Sequence, residues 1–336
     1  MKKIYLFWII LILLTGCSHK NSLNPNVNFE KSIKVRNQKV ESLNKKINKS
    51  SISINSSNTK VRKDALVVGV GEYKNNVETL FGVEKDVKKI TSLLNHFNVN
   101  KITTLEDSRA TLRNVKKEFY KYIHSRKNAR GNIFIFYYSG HGVQVVDENG
   151  DESDKKDEAT ALYDFEIDCN KHITKGVLLD DELSILLAQI KSKKILIFDK
   201  CHSGSSHRAY NPFVKSINGD YKLSSKFSKS ININKKRGKL KDFIIFSATQ
   251  DNQKAEDSPE GGLFTKLFTN GILNKEADTN RDKKITLLEL KHFCKSSISF
   301  LVKRINKKYK VKLKGNADPL FISSFGLNQS VTSIFN

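Results

Sequence analysis

Ile195-Leu-Ile-Phe-Asp199-Lys-Cys201-His-Ser-Gly204, which follows Lys193 and Lys194, is the stretch on which the fold turns. Its four apolar residues are about as long as a strand buried on both faces, and such strands read as short continuous runs. The run breaks at Asp199, sets Cys201 one step beyond and turns at Gly204. Asn132-Ile-Phe-Ile-Phe-Tyr-Tyr-Ser139-Gly-His141-Gly142 has the same shape, with a histidine where the other has a cysteine. If the two strands are parallel neighbours, a thiol and an imidazole meet at one carboxyl edge. Open α/β sheets hold their sites at that edge.

Working outward, Ala65 to Val70 reads as a further buried strand. Val83 to Phe97 is helical, with Val83, Val87, Ile90, Leu93, Leu94 and Phe97 on one face, and Thr111 to Ile123 carries a second apolar stripe. Lys101 to Leu105 is a short strand between them. Strands alternating with helices imply right-handed crossovers and a mainly parallel sheet flanked by helices, an α/β fold. Asp180 to Ile190 and Gly262 to Leu273 read as helices, Asp242 to Ala248 as a strand, and Thr286 to Phe293 as a short helix before a weakly patterned tail. Two segments read as irregular: the acidic Asp147 to Asp168, a surface hairpin or loop, and the polar His207 to Lys241. The latter is longer than a compact domain usually leaves without structure, and such exposed loops are where nicking concentrates. Its run Lys235-Lys-Arg-Gly-Lys239 marks it as a candidate cleavable linker.

Tyr138-Ser-Gly-His-Gly142 followed by Asp199-Lys-Cys-His-Ser-Gly204 resembles the metacaspases and their bacterial relatives, which are caspase-like cysteine peptidases. The resemblance runs from about Asp64 to about Glu289. It implies a caspase-like fold, with a mostly parallel six-stranded sheet between helices. It also implies a Cys201–His141 dyad, with the N–H groups of Gly142 and Cys201 as oxyanion donors. The pairing is chemically apt, because a free thiol has a pKa near ~8.5 and needs a neighbouring imidazole to ionise. The bland alternative makes Cys201 a core residue and His141 a loop histidine. His202, next to the nucleophile, points elsewhere in an extended backbone.

The same resemblance assigns Asp86, Ser139 and Asp199 to the first substrate pocket. Two carboxylates there favour protein or peptide substrates with Arg or Lys at the cleavage site. Asp86 could otherwise form a surface pair with Lys85 or Lys89 on its own helix. Asp199, a carboxylate at the end of a buried strand, needs a partner in any case. Many family members are activated by Ca2+, and the matching positions here include Asp157, Asp180 and Asp181, although Arg208 stands where the pattern has a further acid. Asp180 could equally cap its helix. A second calcium-loop pattern, Asp278 to Glu289, has Lys283 where a glycine is expected, so that lysine would need a positive φ; Thr286 and Glu289 also read as a capping box.

Composition bounds the remainder. The 336 residues are 38% hydrophobic and 28% charged, with a formal charge of +24. The excess is mostly lysine, spread without the arginine and aromatic interleaving of a nucleic-acid groove, so no nucleic-acid partner is expected. Lys2 and Lys3 precede an apolar run, Ile4 to Leu14, shorter than a membrane-spanning helix. Leu14-Thr-Gly-Cys17 then resembles the lipobox of bacterial lipoproteins. The expected organisation is a signal peptide over 1–16, acylation at Cys17, a disordered tether over 17–62, and a peptidase domain over 63–330 with a loop at 207–241. The expected location is lipid-anchored in a bacterial envelope. Beyond Cys17 the chain has Cys169, Cys201 and Cys294, an odd number that leaves at least one free thiol.

Overall fold

A computed structural model describes residues 61–147, 155–200, 215–230, 240–249, 255–310, 313–314 and 317–336. Cys17, Cys201, His202, Arg208 and Lys235 to Lys239 lie outside the described residues, as do the signal peptide and nearly all of the tether.

The central sheet has six strands: β1 (Lys63–Gly69), β2 (Lys101–Glu106), β3 (Ile133–Ser139), β7 (Lys193–Asp199), β9 (Phe243–Ser247) and β10 (Leu320–Ser323). Their order is β10-β9-β7-β3-β1-β2, with only β10 antiparallel to its neighbour. The mostly parallel pairing of these strands therefore matches the α/β reading. Because side chains alternate along a strand, each central strand feeds two cores. Val67, Ile135, Tyr137, Ile195 and Ile197 face one layer of helices: α1 (Val83–His96), α5 (Leu263–Leu273) and α6 (Leu287–Tyr309). Leu66, Val68, Phe134, Phe136, Leu196 and Phe198 face the other, α2 (Leu112–Ile123) and α3 (Asp180–Ala188).

Beside the sheet, β4 (Gly142–Val146), β5 (Lys156–Ile167), β6 (His172–Leu179) and β8 (Ser216–Leu223) close into a small barrel with its own core. Of the two segments expected to be irregular, the first is the hairpin alternative, with β5 antiparallel to β4 and β6, and the second is corrected. The acidic excursion contains the 12-residue strand β5, whose Ala159, Ala161 and Phe165 point inward and whose Asp157 is buried, while Lys156, Glu158, Asp164 and Glu166 are partly exposed. The polar stretch after the nucleophile contains β8 and the short helix α4 (Ser225–Ser230), so 207–241 is not one loop. The expected short helix near Thr286 is the first part of the 23-residue α6, opened by the Thr286–Glu289 capping box. The tail adds β10 and α7 (Val331–Phe335). Among the described residues no helix is long and apolar enough to cross a membrane.

The topology explains where a site forms. β3 and β7 are adjacent and in register, so Ser139 lies opposite Asp199 at the carboxyl ends of the two strands. His141 follows β3 and leads straight into β4. The site therefore sits at the junction of the sheet and the barrel.

Candidate active site

His141 is 1% exposed. Its backbone N–H donates to the Tyr73 hydroxyl at 2.8 Å, and the two rings lie 5.3 Å apart. Its Nε2 is 2.8 Å from the carbonyl oxygen of Glu78. A carbonyl can only accept, so Nε2 carries the proton and Nδ1 is left as the basic nitrogen. Nδ1 is buried and has no hydrogen-bond partner among the described residues. Burial pushes the imidazole down to about 4; the Glu78 carbonyl opposes that shift and the nearby Lys215 charge adds to it. The ring is thus held neutral, with its proton on Nε2 and Nδ1 unprotonated.

Next to it lies an acidic pocket. Asp86, Ser139 and Asp199, assigned to one pocket from the sequence, do come together, and each is fully buried. Ser139 donates from Oγ to Asp86 Oδ2 at 2.9 Å. Asp86 faces inward from the first turn of α1, so it makes no surface pair: Lys85 and Lys89 reach instead to the carbonyls of Pro259 and Glu260. The amino end of α5 meets both carboxylates. Gly262 donates its N–H to Asp86 Oδ1 at 2.7 Å, and Thr265 donates its N–H (3.1 Å) and hydroxyl (2.6 Å) to Asp199 Oδ2. A helix amino terminus supplies unpaired N–H groups and a partial positive charge, which suits buried carboxylates.

The pocket holds a cation from the chain itself. Lys215 is fully buried, with Nζ at 2.8 Å from Asp86 Oδ2, 2.8 Å from Ser139 Oγ and 3.2 Å from Asp199 Oδ1. Burial alone would lower its pKa, but the Asp199 and Asp86 charges prevail and raise it. Asp86 itself is pushed up by burial, which Lys215 offsets only in part. A third carboxylate stands behind these. Asp257 accepts the Gly82 N–H at 2.9 Å, and burial raises it to about 7 against the pull of Lys215.

Gly142 departs from expectation. Its N–H, assigned by resemblance to the oxyanion, donates to the carbonyl of Lys215 at 3.0 Å. The donor follows His141 directly in the chain, and a chain carbonyl occupies it. Sequence reading missed Lys215, Asp257 and Thr265. The only signal for any of them was Gly261-Gly262 ahead of an apolar helix, a pair that lets backbone approach closely.

Comparison with known proteins bears on what this arrangement is. The caspase domain family matches residues 62–310 of the chain. The chain belongs to that family. Metacaspase-3 of Arabidopsis thaliana is 33% identical over 156 residues, covering 43% of this chain and 40% of that protein. Metacaspase-1 of Sclerotinia sclerotiorum is 29% identical over 226 residues, covering 63% of this chain and 48% of that protein. The chain thus spans less than half the length of these relatives. Among solved structures, protein GSU0716 from Geobacter sulfurreducens superposes with a TM-score of 0.57 at 22% identity, covering 80% of this chain and 98% of that one; the likeness is of fold. The caspase-like fold and membership among caspase-like cysteine peptidases agree with what the two motifs implied.

Two further features of this caspase domain were expected to concern calcium. Asp157 on β5 and Asp180 and Asp181 at the start of α3 place one carboxylate oxygen each within 4.8 Å of one another. Asp180 is the first residue of its helix and Leu179 its cap, because β6 runs in extended form directly into α3. In the Asp278 to Glu289 loop, Lys283 does adopt a positive φ, 66°. Glu289, however, is engaged by Thr286 in the capping box, through both N–H and hydroxyl. Cys169 and Cys294 are both free: the first is exposed, and the second lies in the core, where burial pushes its thiol pKa up.

Proposed function

We propose that this chain is a cysteine endopeptidase that cuts after Lys or Arg, with Cys201 as nucleophile and His141 as its base. The observation that carries the reading is the buried pocket of Asp86, Ser139 and Asp199 beside His141, which already holds a lysine ammonium. A pocket that binds one lysine by side-chain charge and a serine hydroxyl suits a substrate lysine, and its paired carboxylates suit the fork of arginine. An Asp-directed specificity would need a cation in the wall of the pocket rather than in its centre. In the reaction, His141 Nδ1 takes the thiol proton and later returns a proton to the leaving amine. Gly142 donates to the oxygen that develops charge.

Calcium is proposed as an activator held by Asp157, Asp180 and Asp181. Three hard oxygen donors within one ligand sphere suit that ion, which would supply charge neutralisation at the barrel's edge and no chemistry. Lipid attachment at Cys17 to a bacterial envelope membrane is proposed from the sequence motif, and mass spectrometry of the amino-terminal peptide tests it.

The deciding experiment is hydrolysis of fluorogenic peptides ending in Arg, Lys or Asp, with and without calcium. Wild type should cleave the basic substrates, while Cys201→Ala and His141→Ala each lose nearly all turnover, because nucleophile and base act as one unit. His202→Ala should keep most of it. No cleavage by folded wild type under any condition would leave a binding protein on a caspase-like fold.

A further inference from the structure

The central strands carry opposite charge at their two ends. β2 begins at Lys101 and runs into Glu106 and Asp107, and β7 begins at Lys193 and ends at Asp199. Arg62 precedes β1, and the loop beyond that strand carries Glu72. Because β1, β2, β3, β7 and β9 are parallel and their starts pair in register, the basic residues gather on one edge. That is the amino edge, a strand's length of about 20 Å from the carboxyl edge that holds the site.

The segments leading into the strands add to it: Arg126 and Arg130 before β3, Lys191 before β7 and Lys241 before β9. These four and Lys101 are exposed, and none of the five has a carboxylate partner among the described residues. The acids at the strand starts are Asp64 and Asp242, and both meet cations. Asp64 pairs with Arg62 at 2.8 Å and Lys127 at 3.6 Å, and Asp242 acts on the charge of Lys194. Like charges are crowded enough that Lys63, after burial, helps to lower the pKa of Lys193. The helix dipole accounts for Arg126 and Lys191, each two residues past a helix cap. It does not account for Lys101, Arg130 or Lys241.

A broad basic edge attracts a sheet of negative charge. Phe325 decides which kind. It follows β10 where Ser324 pairs with the start of β9, so it lies on the same edge, and it is 41% exposed. A phenyl ring gains from the apolar boundary beneath lipid headgroups, whereas a nucleic-acid duplex offers it no open base to stack on. The described chain also enters the domain at this edge, through Val61 and Arg62.

We propose that the amino edge of the sheet is a membrane-facing surface, which lies against an anionic lipid bilayer and turns the site outward. It adds an electrostatic contact to the acylation proposed at Cys17, and rests neither on that nor on the peptidase reading. Anionic headgroups attract basic side chains within a Debye length, about 8 Å at physiological salt. Cations spread along one sheet edge reach a bilayer together only when the strands stand upright on it, so binding sets orientation.

The test mixes full-length protein with vesicles of phosphatidylcholine alone or with an equal part of phosphatidylglycerol. Lysines are acetylated with an N-hydroxysuccinimide ester, and each residue's rate is read by mass spectrometry. An acyl chain at Cys17 enters either bilayer, so the comparison isolates charge. On anionic vesicles Lys101, Lys191 and Lys241 should react at least about five-fold more slowly. Lys74 and Lys85, toward the carboxyl edge, should keep their rates, and salt at about 0.5 M should abolish the difference. Equal rates on the two bilayers would overturn the proposal. So would slowing that survives the salt, or equal slowing of Lys74 and Lys85, which marks diffuse attraction to a basic protein. Duplex DNA at matched phosphate concentration should protect the edge less; equal protection would make nucleic acid the partner and overturn the proposal too. Each of these failures leaves the peptidase reading standing.

Discussion

At the scale of single residues, two buried groups should tilt stability against pH in opposite directions. His141 is depressed to about 4, below its ordinary value of 6.5. Between those values the unfolded chain binds a proton that the folded chain does not, so this residue makes stability rise with pH. Asp257 is raised to about 7 from an ordinary 3.8. Between those values the folded chain holds a proton that the unfolded chain has released, so this residue makes stability fall as pH rises. The two largely offset each other from pH 4 to 6.5. Asp257→Asn should expose the His141 slope, giving a midpoint of denaturation that climbs steadily over that range. A profile as flat as wild type would mean that Asp257 does not hold its proton. Asp199 gives a separate prediction. Asp199→Asn should cost about 2–5 kcal/mol in kcat/KM toward Arg peptides, the usual loss when one member of a desolvated charge pair is removed. Equal loss on an uncharged first-pocket substrate would instead assign Asp199 to support of Cys201.

The same residues show how far a sequence can be read. His141, Ser139 and Asp199 are legible because short motifs at strand ends name both chemistry and place, whereas Asp86, on α1, is assigned only through the family resemblance. Lys215 was not, since one lysine among many carries no mark of a partner 129 positions away. Asp257 was hidden for the same reason. Gly142 was legible as a donor, but its present acceptor is a backbone carbonyl that no side-chain pattern encodes.

At the scale of elements, the pocket depends on the start of α5 as much as on the strands. A Cβ at Gly262 would lie 2.3 Å from Asp199 Oδ2 and 2.5 Å from Lys215 Nζ, and Gly261 has φ +108° with Asp86 Oδ1 at 2.6 Å from its ideal Cβ position. Gly262→Ala must therefore push a carboxylate or the pocket's occupant aside. It should weaken turnover of Arg peptides at least ten-fold, chiefly through KM, while leaving the far-ultraviolet circular dichroism unchanged. Unaltered kinetics would show that α5 can retreat without cost. Element assignment failed where composition and geometry disagree. β5, expected as part of a surface hairpin or a loop, is a hairpin strand buried further than its acids suggest, because Ala159, Ala161 and Phe165 turn inward. β8 contains Asn218-Gly219-Asp220, a turn-like triplet, and its pairing with β4 shifts register between Val143 and Val145. A strand that bulges there has no clean period for a sequence to show. α6 was read too short because its buried residues Leu290, Cys294, Ile298, Leu301, Val302 and Ile305 are separated by serines and lysines.

At the scale of the whole molecule, a single cut made between β7 and β8 by an added protease should separate the chain covalently but not physically. The amino-terminal fragment would keep β1, β2, β3 and β7, and the carboxy-terminal fragment β9 and β10. Those strands belong to one sheet: β7 pairs with β9 from Lys194–Phe243 to Phe198–Ser247. The helices α5 and α6 come from the carboxy-terminal fragment, yet they cover the same apolar face as α1, with Val67, Ile135 and Ile197 beneath them. β8, although severed from the residues before it, still pairs with β4 and β6 of the other fragment. Parting the fragments would expose a central strand edge and much of one core. Backbone groups so exposed find water, but the apolar area does not, at roughly 25 cal/mol for each Å² uncovered. The cleaved protein should therefore elute from a sizing column at the position of the intact chain, while a denaturing gel resolves two bands. Only denaturant should part them, and with a single cooperative transition, because neither fragment has a complete core. Two species on the column in native buffer would show that β8 and β9 contribute less to the joint fold than their pairing implies.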